Sequence, residues 1–174
     1  MTKAIVVLAD SKQAKKLGAS VKRASVNLDK SVDIAFAHDE YDYITVIKNK
    51  PKSAEDARTL GGDMFSKYKE TATELELDDA LGFTNDMLEG IDLAGYTFSW
   101  YKTDAKDFVK LNSVTVNGKS IHSVKQSIST SIMLARDLVS EPGNVLYPQT
   151  YAARIERHLS PLGITIKIYH ESQL

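Results

Sequence analysis

The residues best suited to chemistry in this chain are four histidines, a pair of adjacent aspartates, a glycine pair and a set of amino-terminal lysines. His38, His122, His158 and His170 are scattered along the chain. None has a second donor at metal-ligand spacing. No His-Glu-x-x-His occurs, and with no cysteine present no thiolate site can form. His38, Asp39 and Glu40 cluster three donors, but neighbours along a strand point to opposite faces. Exposure at the end of a strand is the simplest reading of His170. Asp78 and Asp79 could work as a general acid and base, yet they sit in the acidic run "ELELDDALGF", which reads more simply as a solvated loop. Gly61-Gly62 lies inside a helical pattern, and neither G-x-G-x-x-G nor G-x-x-x-x-G-K-[ST] occurs. No serine occupies a G-x-S-x-G elbow. Motifs alone therefore name no catalytic, cofactor-binding or metal-ligating residue.

Charge is the next signal. The chain carries 22 Lys and Arg against 23 Asp and Glu, a net charge of −1, but unevenly. Residues 1–30 are net +5, 31–100 are net −9 and 101–174 are net +3. Lys12, Lys15, Lys16, Lys22 and Arg23 could touch nucleic acid electrostatically. No aromatic residue is interleaved among them, so a solvated face is the blander account. At 43% hydrophobic and 26% charged, the composition is that of an ordinary globular domain. The apolar run Ala4–Ala9 is too short for a secretion signal, and no stretch approaches the ~20 apolar residues of a membrane span. A cytoplasmic protein without a membrane partner is the expectation.

The elements that must position these residues follow from periodicity. "AIVVLA" (4–9) is a β-branched run, the pattern of a strand covered on both faces. "SVDIAFAH" (31–38) and "YDYITVIKN" (41–49) alternate as strands. Ala57, Leu60, Met64, Phe65 and Tyr68 recur at helical spacing within 50–70. Ser53 and Asp56 resemble a capping box there, and Gly61-Gly62 suggests close packing against the sheet. A short strand fits within 74–83. A helix is predicted over 84–103, capped by Thr84 or Asn85, with Phe98 and Tyr101 continuing its apolar stripe. Asn117-Gly118 predicts a hairpin turn. The clearest helix spans 123–141 and stops at Pro142; another covers 149–159, and "ITIKIYH" (164–170) alternates as a further strand. Interleaved strands and helices predict an α/β fold with a mixed sheet of about six strands.

The stretch "LARDLVSEPGNVLYPQTYA" (134–152) resembles the interdomain joint of the leucyl aminopeptidase family, also called cytosol aminopeptidases. Ala135, Arg136, Leu138, Pro142 and Asn144 match its A-R-x-L-x-x-x-P-x-N pattern. Upstream, "EGIDLAGYTFSWYK" (89–102) is similar to the family's E-G-x-x-L-x-x-Y-x-F-x-x-Y-K segment through Glu89, Gly90, Leu93, Tyr96, Phe98, Tyr101 and Lys102. The resemblance implies a macro-domain-like mixed sheet flanked by helices over 1–122, a linker helix over 123–141, and the truncated start of a catalytic peptidase domain over 142–174. It also implies a parent enzyme that releases amino-terminal residues from peptides with two divalent ions, zinc or manganese. The ligands for those ions belong to the family's carboxyl-terminal domain, and its N-T-D-A-E-G-R signature is absent here. No site residue is transferred, no cofactor is expected in this chain, and the chain alone is expected to be inactive. The parent would be a homohexamer and this chain a monomer or weak dimer whose partner is the catalytic domain. DNA binding, ADP-ribose binding of the kind macro-like domains show elsewhere, or an assembly role without its own catalysis is the alternative; the glycine-rich loop such a nucleotide needs is missing.

Overall fold

The structure, a computed structural model, describes residues 1–18, 21, 31–34, 38–102, 109–120 and 126–173, with side chains left out at 31–34, 120, 126 and 171. Lys22, Arg23, His122 and residues 123–125 of the predicted helix 123–141 lie outside the described residues. The chain divides into two compact units, Met1–Thr130 and Ser131–Leu174.

The first unit is built around β1 (Lys3–Leu8), whose Ala4, Ile5, Val6 and Val7 are essentially solvent-free. A strand buried on both faces needs apolar side chains at every position, which is why this run does not alternate. Burying each aliphatic side chain contributes about 1.5–3 kcal/mol. Strand β1 pairs in parallel with β3 (Tyr43–Ile47) on one side and β4 (Glu74–Leu77) on the other. Strand β5 (Ser113–Val116) continues the sheet in parallel, while β2 (Ser31–Ile34) and β6 (Lys119–Ser120) close the edges antiparallel. The order is β2-β3-β1-β4-β5-β6. The second predicted strand is thus seen over its first four residues; 35–37 lie outside the described residues. At the β5–β6 turn, Asn117 (φ 47°) and Gly118 (φ 73°) are both left-handed, as a two-residue hairpin loop requires.

Each sheet face has its own core. Val6, Leu75, Leu77 and Val116 pack with α2 (Ala54–Tyr68) and α3 (Thr84–Ala94), whereas Ile5, Val7, Ile44 and Val46 pack with Ala14 of the short α1 (Lys12–Lys16). Helix α2 starts where Ser53 Oγ accepts the Asp56 amide at 3.1 Å. The reciprocal arm does not close on Ser53: Asp56 Oδ2 accepts from the Lys52 amide instead, because an Asp side chain is one methylene shorter than the Glu of a full box.

Two expectations about the helices are corrected. Gly61 packs against another helix and not against the sheet: a Cβ there would lie 2.1 Å from the Met87 carbonyl oxygen, and one on Gly90 would lie 2.1 Å from that of Arg58. The α2 and α3 backbones meet at these two glycines. Helix α3 also stops at Ala94, nine residues short of the predicted end. Gly95 and the helix-poor Tyr96-Thr97-Phe98 that follow disfavour continuation. Phe98 instead stacks on Trp100 and tilts against Tyr101, and Trp100 remains 62% exposed. At its start α3 has no side-chain cap; Phe83 holds a left-handed conformation before it, and the Thr84 hydroxyl donates to Asp79.

Helix α4 (Gln126–Ser140) runs across the boundary between the units. In the second unit the Pro142 carbonyl accepts from the Val145 and Leu146 amides. Helix α5 (Pro148–Leu159) then begins with proline at its first turn, where no amide is needed. Segment 164–170 is not a strand. Alternation favours an extended chain, but a strand also needs a neighbour for its amides. Among the described residues this unit offers none. No helix among the described residues is long and apolar enough to cross a membrane.

Candidate functional site

In a parallel sheet, ligands bind outside the carboxyl ends of the strands where the chain's direction of winding reverses. Here the chain goes from β1 to the edge strand β2, returns to β3 beside β1, then crosses to β4 on the other side. The reversal therefore lies between β1 and β4. A cleft of about 780 Å³ runs along the α1 face of these strands to that end, lined by α1, by the segment before β3, by β4 with the turn after it, and by the β5–β6 turn.

Its chemistry comes from four separate stretches. On β4, Leu75 and Leu77 enter the α2–α3 core, so Glu76 must face the other way, alongside Ile5 of β1. Glu76 accepts from the Tyr41 hydroxyl at 2.7 Å and from Gln13 Nε2 at 3.4 Å. Tyr41 is buried, and that burial, followed by its bond to Glu76, raises the phenol well above its ordinary pKa, so it stays a neutral donor. Asp78 ends β4. Its carboxylate accepts the Ala80 amide at 3.0 Å and the Leu8 amide at 3.3 Å, tying the ends of β4 and β1 together. Asp79 receives the Thr84 hydroxyl, and its amide donates to Asn117 Oδ1. Lys12 and Lys16, exposed on one side of α1, stand at the rim.

The expectation of a solvated Asp78-Asp79 loop is thus half corrected: Asp78 is 3% exposed, because two backbone amides replace its hydration, while Asp79 is exposed. His38 lines the cleft, its Nδ1 accepting the Glu40 amide. His158 and His170 are exposed on the second unit. Sequence reading did not assemble this cleft. The one available signal was the alternation of "ELEL", which turns its glutamates away from the core.

The residues carrying the family resemblance have structural roles. Glu89, almost buried on α3, accepts from Arg58 Nε at 2.9 Å, and Asp86 stands 3.5 Å from the same guanidinium. Hydrogen bonding to Glu89 and Glu55 raises the Arg58 pKa further. Gly90, beside Glu89, is the contact point of the two helices. In the second unit the Glu141 carboxylate, buried next to Pro142, pairs with Arg154 of α5.

The paired divalent ions implied by the family do not fit the described residues, where no three His, Asp or Glu side chains converge as a metal site, and the Asp78 carboxylate is closed off by the Leu8 and Ala80 amides.

No family model matches the chain. Individual relatives do. A probable cytosol aminopeptidase of Rhizobium etli (strain CIAT 652) is 33% identical over 138 residues, which is 70% of this chain and 28% of that protein. One from Clostridium perfringens (strain 13 / Type A) is 29% identical over 121 residues, 62% of this chain and 24% of that protein. The chain thus spans about a quarter of the length of these curated relatives. Among solved structures, a tomato leucine aminopeptidase mutant aligns with 99% of this chain and 42% of its own at TM-score 0.73 and 16% identity. The bottromycin maturation enzyme BotP in complex with manganese aligns with 99% of this chain and 39% of its own at TM-score 0.70 and 20% identity. These structures share the mixed α/β fold. By its sequence relatives and this fold, the chain belongs to the cytosol aminopeptidase family and corresponds to its amino-terminal region.

Proposed function

We propose that this chain is a non-catalytic amino-terminal region of an aminopeptidase, and that hydrolysis of peptide amino termini belongs to a carboxyl-terminal metal-binding domain. The observation that carries this reading is the 138-residue match to a relative of which it covers 28%. Two features support it. The chain holds no N-T-D-A-E-G-R signature, and no donor cluster suited to a metal occurs among the described residues. The E-G-x-x-L segment, which could be mistaken for catalytic because of its acid, is used to cross two helices. A cytoplasmic location and two zinc or manganese ions in the partner domain belong to the same proposal.

Incubation of the 174-residue chain with leucine amide and manganese or zinc tests it. The expected outcome is no turnover above the metal-only control. Turnover that co-purifies with the chain and is lost on chelation would overturn the proposal.

A further inference from the structure

The cleft along the α1 face of β1 and β4 carries a separation of charge that the family reading does not use. Its volume of about 780 Å³ lies within the range of small-molecule sites. Its wall holds the carboxylates of Glu40, Glu76, Asp78 and Asp79 against the two ammonium groups of Lys12 and Lys16. Among the described residues neither lysine has an ion-pair partner. The cations are exposed at the rim, and Glu76 is half-buried on the floor beside the buried Tyr41.

This layering disfavours a phosphate-bearing ligand. Phosphate sites rely on free backbone amides. Here the Ala14 amide is taken by Ser11 Oγ, the Asp79 amide by Asn117 and the Ala80 amide by Asp78. Four carboxylates against two ammonium groups would also repel a multiply charged anion. A ligand with an ammonium at one end and a single carboxylate at the other meets the opposite situation. Each Glu76 oxygen already accepts one bond, and an ionised carboxylate has about four lone-pair sites, so acceptor capacity remains for an ammonium on the floor. A free carboxylate at the rim would supply the partner that Lys12 and Lys16 lack among the described residues.

We infer that this cleft binds a small zwitterion, a short peptide or amino acid with both termini free, its ammonium toward Glu76 and its carboxylate between Lys12 and Lys16. The cleft's chemistry does not depend on what the parent enzyme hydrolyses, so loss of one reading leaves the other standing.

Amide chemical shifts of the 174-residue chain, titrated with millimolar leucyl-glycyl-glycine, test this directly. Saturable shifts are expected at Gln13, Ala80 and Gly118. Blocking either terminus, by acetylation or amidation, should weaken binding by about tenfold or more. The double variant Lys12→Gln/Lys16→Gln should weaken it similarly, whereas Lys15→Gln, the same charge change outside the cleft lining, should not. Glu76→Gln should selectively reduce discrimination against the acetylated peptide. No saturable shift, equal binding of blocked and free peptides, or tighter binding of inorganic phosphate than of the peptide would each overturn the inference.

Discussion

Gly61 and Gly90 are each replaced at high cost, since an added methyl would sit 2.1 Å from a backbone carbonyl that cannot step aside without moving its helix. Gly61→Ala and Gly90→Ala should each lower stability by about 3 kcal/mol, seen as a reduced urea midpoint. Gly62→Ala is a control on the neighbouring residue: its nearest atoms are 3.7 and 3.8 Å away. It should gain about 0.5–1 kcal/mol from helix propensity. Equal losses at all three positions would mean the two helices do not cross here. Asp92 gives a second test at this scale. Burial first raises its pKa above the ordinary 3.8, Ser129 pulls it partly back, and the charge of Glu89 adds to the rise. Between the ordinary and the raised value the folded chain holds more protons than the unfolded one, so this group's contribution to stability falls as pH rises. Asp92→Asn, which removes the ionisable group at nearly the same size, should therefore melt higher than the parent at neutral pH. The difference should vanish in acid below the ordinary aspartate value.

At the scale of the element, Ser53→Ala should cost about 1 kcal/mol, since the Asp56 amide loses its acceptor at the start of α2; thermal unfolding of the variant measures it. Much of this level was legible in the residues. The unbroken aliphatic run of β1, the Asn117-Gly118 turn and the spacing within α2 each depend on local rules that the fold does not override. The end of α3 was not legible, because Phe98 and Tyr101 keep helical spacing while packing on one another. Segment 164–170 shows the complementary limit. Alternation defines which side chains share a face and says nothing about whether a partner strand exists. The cleft was hidden for a third reason. Asp78 looks like a loop acid until its acceptors are matched with the Leu8 amide, seventy residues earlier in the chain, and no local pattern reports a meeting of that kind.

For the whole molecule, the second unit is the less self-sufficient. Helix α5 has no buried residue, and Val139, Tyr151, Leu162, Ile164 and Tyr169 are all substantially exposed. Apolar surface of this kind suits a chain that continues into, or docks on, a larger body. Without that body, light scattering should find a monomer or a weak, concentration-dependent dimer. A stable hexamer would overturn the proposal that assembly rests on a carboxyl-terminal domain. Strand β1 has a different consequence, set by order of synthesis. It is made before both of its neighbours: its partners on β3 and β4 follow about forty and seventy residues later. At the ribosome's pace of 5–20 residues per second, the wait for β4 lasts roughly 4–14 s. Until β3 emerges this aliphatic segment has both edges unpaired, and until β4 emerges it still has one, which makes it the natural point for a chaperone to hold.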